Sequence, residues 1–181
     1  MGDDVDERES AALKELEDRF IQAVTQKDQG KLDDAEEAFR EILRVEPRLP
    51  EPRLELARLL LDTDRLDEAE EHAREALQHL EAGGQWIDDL SEETVLALSH
   101  ALLAEVLRRR ADEDSVIFGD PETYKRLVAE SRKHFETAAA LDPSDEYSSY
   151  HAFFLGKPGV KPSIGGETLD DDDDTDEEDD A

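Results

Sequence analysis

One twelve-residue stretch of this chain occurs twice, and the distance between the copies limits the possible folds more than any other feature. Residues 32–43 read LDDAEEAFREIL and residues 66–77 read LDEAEEHAREAL, so eight of twelve positions are identical at a separation of 34 residues. A self-match at that period indicates a repeat array in which each unit is a pair of helices. Such units stack on one another and form an extended concave surface that binds other molecules.

The positions shared by the first two units are small or apolar. The first unit has Ala35, Phe39, Ile42 and Pro47, with Gly30 in the turn between its helices. The second unit has Leu56, Ala57 and Leu60 on its first helix, and Ala69, Ala73 and Ala76 on its second. Ala23 precedes Ala35 by twelve residues, as Ala57 precedes Ala69, so both first helices keep one register. Small side chains let paired backbones approach closely, while larger ones fill the space between helices.

A third unit is predicted with two insertions. Its first helix carries Val95, Leu98, Ser99 and Leu102, and its second carries Ser131, Phe135, Ala138 and Pro143. The extra residues fall in a linker at 81–91, which contains two consecutive glycines, and in a loop at 111–120. Val116, Ile117 and Phe118 make this loop too apolar to be only a solvated connection. We expect them to pack on the repeats as a plug, and the alternative is contact with a partner.

The pattern resembles that of the tetratricopeptide repeat, which reads W-x₂-L-G-x₂-Y, then A-x₃-F, then P. The resemblance covers roughly residues 13–143, but no Trp or Tyr begins a first helix, and Glu81 stands where the second unit would have its proline. It implies an all-α fold, a right-handed α-α superhelix of three helix pairs followed by a C-terminal capping helix. We expect the domain organisation to be an acidic N-terminal extension at 1–10, the helical array with its capping helix at 11–155, and a disordered acidic tail at 156–181. The capping helix lies within 144–155 and carries Tyr147, Tyr150, Phe153 and Phe154, which could alternatively form a separate aromatic binding site.

The resemblance also implies a non-enzymatic scaffold or adaptor that binds a partner segment along the exposed side of the first helices. The candidate groove residues by this register are Phe20, Val24, Lys27, Leu54, Glu55, Arg58, Leu61, Leu96, Ala97, His100 and Leu103. Because this stripe is mostly apolar, an amphipathic helix or an extended apolar peptide is the expected ligand. Family members that clamp a C-terminal carboxylate use Lys, Asn and Arg along this face, and Leu54 and Glu55 disfavour that ligand here. The alternative is that the chain's own N-terminal helix, loop or aromatic segment covers part of the stripe.

Charge suggests a second kind of function. The chain has 51 acidic and 21 basic residues for a net charge of −30, of which 11 acidic residues lie in 167–181, so the rest carries −19. With 14 Arg against 7 Lys and no Cys, this composition is typical of proteins from a salt-loaded, halophilic cytoplasm, or of an acidic bacterial protein kept soluble by its charge. Nucleic acid binding is not expected, because no basic face is present. The alternative function is that of a polyanionic, chaperone-like or nucleic-acid-mimicking protein that binds basic proteins through its acidic surface and tail.

The sequence offers little for catalysis or for a cofactor. Cysteine is absent, and the five histidines lack the neighbours of a three-ligand metal site. No glycine-rich phosphate loop or nucleophile elbow is present. Arg108, Arg109 and Arg110 are expected to complement a helix end, or alternatively to contact the acidic tail. We therefore predict no catalytic residues, no metal and no cofactor, and a cytoplasmic protein without a membrane span or signal peptide; its oligomeric state is left open.

Overall fold

The computed structural model describes residues 3–84, 86–87 and 90–155, without the side chains of residues 3–11 and 13. All the regular structure in these residues is helical, which confirms the all-α prediction. The helices are α1 (Asp3–Asp28), α2 (Leu32–Val45), α3 (Pro50–Asp62), α4 (Leu66–Glu81), α5 (Glu92–Ala111), α6 (Asp114–Gly119), α7 (Pro121–Leu141) and α8 (Glu146–Phe154). The helix α1 includes most of the segment that the sequence set apart as an acidic extension, and the predicted tail lies outside the described residues. Within those residues, no helix is long and apolar enough to cross a membrane.

The helices pack in antiparallel pairs, α1 with α2, α3 with α4, and α5 with α7, and α8 packs on α7. The turn after α1 closes through Gly30, whose positive φ of 76° suits a residue without a side chain. Asp64 holds the same position 34 residues later with a φ of 60°, a conformation that Asp adopts more readily than most residues. The capping prediction is confirmed by α8, whose Tyr147 and His151 rings lie 5.9 and 5.0 Å from the ring of Phe135 on α7.

The core of the first two units contains the residues that define the repeat. Ala23, Ala35, Ala57 and Ala69 are fully buried where paired helices meet. The large side chains between the helices are fully buried as well, among them Phe39, Leu56 and Leu60. The twelve-residue spacing of alanines therefore gives the helix pairing correctly in these two units.

The third unit pairs in a different register from the predicted one. The hydroxyl of Ser131 on α7 donates a 2.7 Å hydrogen bond to the carbonyl oxygen of Ala104 on α5, so Ala104 lies opposite Ser131. Leu103, Ala104 and Leu107 are at most 1% exposed, which matches the burial of Leu56, Ala57 and Leu60.

Leu98, which the sequence placed between helices, is 44% exposed, so this prediction is wrong. The cause is that α5 contains two similar patterns, Leu98-Ser99-x₂-Leu102 and Leu103-Ala104-x₂-Leu107, five residues apart. Ser99 is also buried, but its hydroxyl bonds within α5 to the carbonyl oxygen of Val95 at 2.7 Å.

Both insertions make contact with the array. Val116 in α6 packs against the main core, as expected of a plug, but Ile117 is 40% and Phe118 82% exposed, so the prediction is wrong for these two residues. In the linker, Trp86 packs against the main core, and Ile87 packs against a small cluster at the start of the array. The backbone N–H of Ile87 also donates to a carboxylate oxygen of Glu51 at the start of α3. The linker therefore reaches back across the second unit to the first.

Candidate functional site

The polar members of the predicted groove meet between α1 and α3. Lys27 on α1 forms an ion pair with Glu55 on α3. The other carboxylate oxygen of Glu55 lies 3.9 Å from Nη1 of Arg58, whose side chain is exposed. One carboxylate thus lies between two cations, so these three side chains together carry one positive charge in a strongly acidic protein.

The apolar members of the predicted groove are less accessible than the sequence suggested. Phe20 and Val24 on α1 are half-buried against the core. Leu54 and Leu61 on α3 are buried, so the prediction that they face solvent is wrong. The reason is that α3 packs directly against α1 and α5, so leucines on the flanks of α3 belong to the contacts between consecutive first helices.

The predicted residues of the third unit follow the incorrect register. Leu96 is half-buried, and Ala97, His100 and Leu103 are buried, so these last three do not form an open surface. Ala104 corresponds to Ala57, so each position of α3 is matched in α5 by the residue 47 positions later. Ala101, Glu105 and Arg108 therefore correspond to Leu54, Arg58 and Leu61. Sequence reasoning missed these residues, and the second leucine–alanine pattern in α5 was the signal that could have identified them.

Glu105 links α5 to α8. Arg108 donates two hydrogen bonds to Glu105, of 2.8 and 2.7 Å, and the Tyr147 hydroxyl donates a third, of 2.7 Å. Burial raises the pKa of Glu105, but these hydrogen bonds outweigh it and hold that pKa below its ordinary value. Burial and the hydrogen bond to Glu105 raise the pKa of Tyr147 to about 12, so its hydroxyl remains a donor at neutral pH. We call Lys27, Glu55, Arg58, Glu105, Arg108 and Tyr147 the polar row.

Comparison with known families supports the repeat. The family model of the tetratricopeptide repeat matches residues 27–86, from the end of α1 to the start of the linker. This segment is similar to a tetratricopeptide repeat. Domains of this family are generally protein–protein interaction modules and are typically non-catalytic. No curated protein matches the chain, and the prediction of a salt-rich source stays a prediction.

The three consecutive arginines at the end of α5 connect the third helical unit to the second. Arg109 lies 3.1 Å from the carboxylate of Asp64, and Arg110 lies 2.9 Å from that of Asp67 and also pairs with Glu70. These carboxylates belong to the turn before α4 and to its first half. Neither expected role of the arginines included these partners, and the acidic tail lies outside the described residues.

His100, which was predicted to line the groove, contacts a second histidine instead. Its Nδ1 atom lies 2.8 Å from Nδ1 of His134 on α7, and the rings stack with centroids 5.1 Å apart. One ring must donate and the other accept, so the pair cannot hold this geometry when both rings are charged. Burial, with the charge of His100, lowers the pKa of His134 to about 4, and burial also lowers that of His100. Glu130, Lys133 and Arg74 carry the nearby charges on α7 and α4, and Glu81 acts on His100 from the end of α4.

We expect the histidine pair to make the fold sensitive to acid. The pKa of His134 is about 4 in the folded state against an ordinary value of 6.5, so this residue stabilises the fold fully above pH 6.5 and loses that contribution as the pH falls toward 4. Since the side chain is partly exposed, we expect a loss of about 1 kcal/mol in the free energy of unfolding between pH 7 and pH 5. Urea denaturation of the wild type and of His134→Phe at both pH values measures the difference. An equal pH dependence in the two proteins would show that the pair does not titrate in this range.

Among the residues that the structure describes, no group of three or more His, Asp or Glu side chains is placed to hold a metal ion.

Proposed function

We propose that this protein is a non-enzymatic adaptor that binds a segment of a partner protein along the first helices of the three units, α1, α3 and α5, and along the capping helix α8. The observation that carries this proposal is the polar row, which links α1 to α3 through Lys27 and Glu55 and links α5 to α8 through Glu105 and Tyr147. A row of charged and aromatic side chains across successive helices can contact an elongated ligand at several points.

The chemistry of the row favours an amphipathic helix over an extended apolar peptide. The buried leucines Leu54 and Leu61 offer little apolar surface, while Arg58, Glu105 and Arg108 offer charges of both signs. Leu98 on α5 and the Tyr147 ring are exposed and offer apolar contact on the same helices. A helix with one apolar face and charged flanks can satisfy both kinds of surface.

Arg58 allows a direct test, because its side chain is exposed and belongs to the row. We expect Arg58→Glu to reduce the capture of natural partners at least about tenfold, since a reversed charge must be desolvated against the bound segment. Arg44→Glu is the matched control, as Arg44 is exposed on α2 outside the row. Tagged full-length proteins would be compared by quantitative pull-down from their native cell extract, with circular dichroism to confirm equal folding. Partners retained equally by both variants would contradict binding along the row.

A polyanionic binder of basic proteins is the second candidate, and the net charge of −30 favours it. Contacts of that kind are long-range and screened by salt, so partners should dissociate in molar potassium chloride. Partners held by the row should depend on Arg58, and the apolar contacts on the same helices should retain part of their binding at that salt concentration. Partners that dissociate in salt and bind both arginine variants as well as the wild type would favour the polyanionic function.

A further inference from the structure

The array ends with a first helix that has no second helix among the described residues. Ala57 follows Pro47 by ten residues, and Phe153 follows Pro143 by the same ten, so α8 is the first helix of a fourth unit. Ala152 and Phe153 thus take the places of Leu56 and Ala57. Leu56 and Ala57 are fully buried under α4, whereas Ala152 and Phe153 are only half-buried.

A groove lies where the missing helix would pack. It has a volume of about 460 Å³ and runs between α7 and α8. Its lining is apolar at Ala139, Ala140, Ala152 and Phe153, and it carries opposite charges at Arg132 and Glu136. Small side chains at such a seam allow a helix backbone to approach closely, as they do between the paired helices of the first two units. We call this cavity the end groove.

The sequence that follows α8 does not have the apolar pattern of a helix that could pack in the end groove. Repeat spacing places the second helix of the fourth unit at 162–177, which reads PSIGGETLDDDDDTDE. Asp172 falls at the position of Ala76, and the other acidic residues around it leave no apolar stripe. A helix with such a sequence could not bury one face in the end groove.

We propose that the end groove binds a helix of a different protein, which completes the fourth repeat in trans. This site is separate from the polar row, because Ser149, Ala152 and Phe153 line it. The occupant would be an amphipathic helix with small residues along its buried stripe, as α4 has Ala69, Ala73 and Ala76.

The charged residues of the groove define the charges that this helix must carry. In the earlier units, Glu36 on α2 lies 2.8 Å from Arg65, and Arg40 lies 3.1 Å from Glu68 of α4. The equivalent positions of α7, 96 residues later, are Arg132 and Glu136. The charge at each of these two positions is therefore opposite to the charge in α2.

Arg132 and Glu136 pair with each other at 2.8 Å, but the buried Nε of Arg132 has no hydrogen-bond acceptor in the part of the chain that the structure describes. The occupant should therefore present a carboxylate in the place of Arg65 and a Lys or Arg three residues later.

A second copy of this chain does not fit the same requirement. Its α4 begins with Arg65 followed by Glu68, which would place like charges opposite Arg132 and Glu136. The apolar stripe of α4 is also already buried in its own unit. Charge complementarity therefore points to a foreign helix with an acidic residue and then a basic one.

Two synthetic peptides test the site on the full-length protein. The first has the sequence of residues 65–81 with Glu in place of Arg65 and Lys in place of Glu68, and the second has the unchanged sequence. By fluorescence anisotropy, we expect the wild type to bind the charge-matched peptide at least about tenfold more tightly than the unchanged one. The double variant Arg132→Glu with Glu136→Arg keeps the ion pair along α7 and should reverse this preference.

Other outcomes would overturn the proposal. Failure of the wild type to bind the charge-matched peptide at millimolar concentration, or equal binding of both peptides, would show that the end groove does not select a helix by these charges. A preference that survives the double variant would place the binding site elsewhere. Sedimentation that shows a dimer displaced by the peptide would assign the groove to a second copy. The Arg58→Glu variant should bind the peptide like the wild type, which separates this site from the polar row.

Discussion

Leu103→Glu should lower the free energy of unfolding by at least about 3 kcal/mol, because it places a carboxylate without a partner in the core between α5 and α7. Leu103 is 1% exposed and takes the place that Leu56 has in the second unit. A loss of this size is a large part of the total stability of a typical domain, which is about 5–15 kcal/mol. Urea denaturation followed by circular dichroism at 222 nm measures it.

Leu98→Glu is the matched control, since it makes the same change on the same helix five residues earlier. Leu98 is exposed, so the substitution should alter the free energy of unfolding by less than about 0.5 kcal/mol. The two registers of α5 predict opposite outcomes for this pair. If Leu98→Glu unfolds the protein and Leu103→Glu does not, Ser99 rather than Ala104 lies opposite the second helix.

The first two units could be predicted because their repeats are close copies without insertions. Alanines twelve residues apart, such as Ala57 and Ala69, fix how two helices face each other when the connecting turn is short. The third unit has a long linker before it and an inserted helix within it, so spacing no longer determines the register. Two leucine–small–leucine patterns then fit α5 equally well, and the structure decides between them through the contact of Ser131 with Ala104 and the exposure of Leu98.

The candidate site could be predicted in part for a related reason. Periodicity along one helix shows which side chains share a face, and the predicted groove residues Lys27, Glu55 and Arg58 do lie close together; their role in binding stays a prediction. Periodicity does not show how closely consecutive first helices approach each other, so it did not predict the burial of Leu54. The ion pair of Arg109 with Asp64 joins residues 45 positions apart and has no signal in local spacing. The end groove was not predicted, because a fourth unit is recognised only after α8 is aligned with α3.

Phe135 connects this last helix to the array, and its removal should have the other large effect. Phe135 is fully buried on α7 and stacks at 5.0 Å on His151 of α8. We expect Phe135→Ala to lower the free energy of unfolding by about 3–5 kcal/mol, through lost burial and the cavity that remains. Phe118→Ala, at an exposed position, should change it by less than about 0.5 kcal/mol.

The helix that is destabilised distinguishes Phe135 from an ordinary core residue. Phe39 is equally buried at the same repeat position 96 residues earlier, so Phe39→Ala should cost a similar free energy. In a repeat array, each unit contacts only its neighbours, so the loss at Phe135 should fall mainly on the terminal helix. Limited proteolysis under native conditions should then cleave around α8 in Phe135→Ala earlier than in Phe39→Ala or the wild type. Equal protection of α8 in both alanine variants would show that the array unfolds as one unit and that Phe135 has no special role in holding α8.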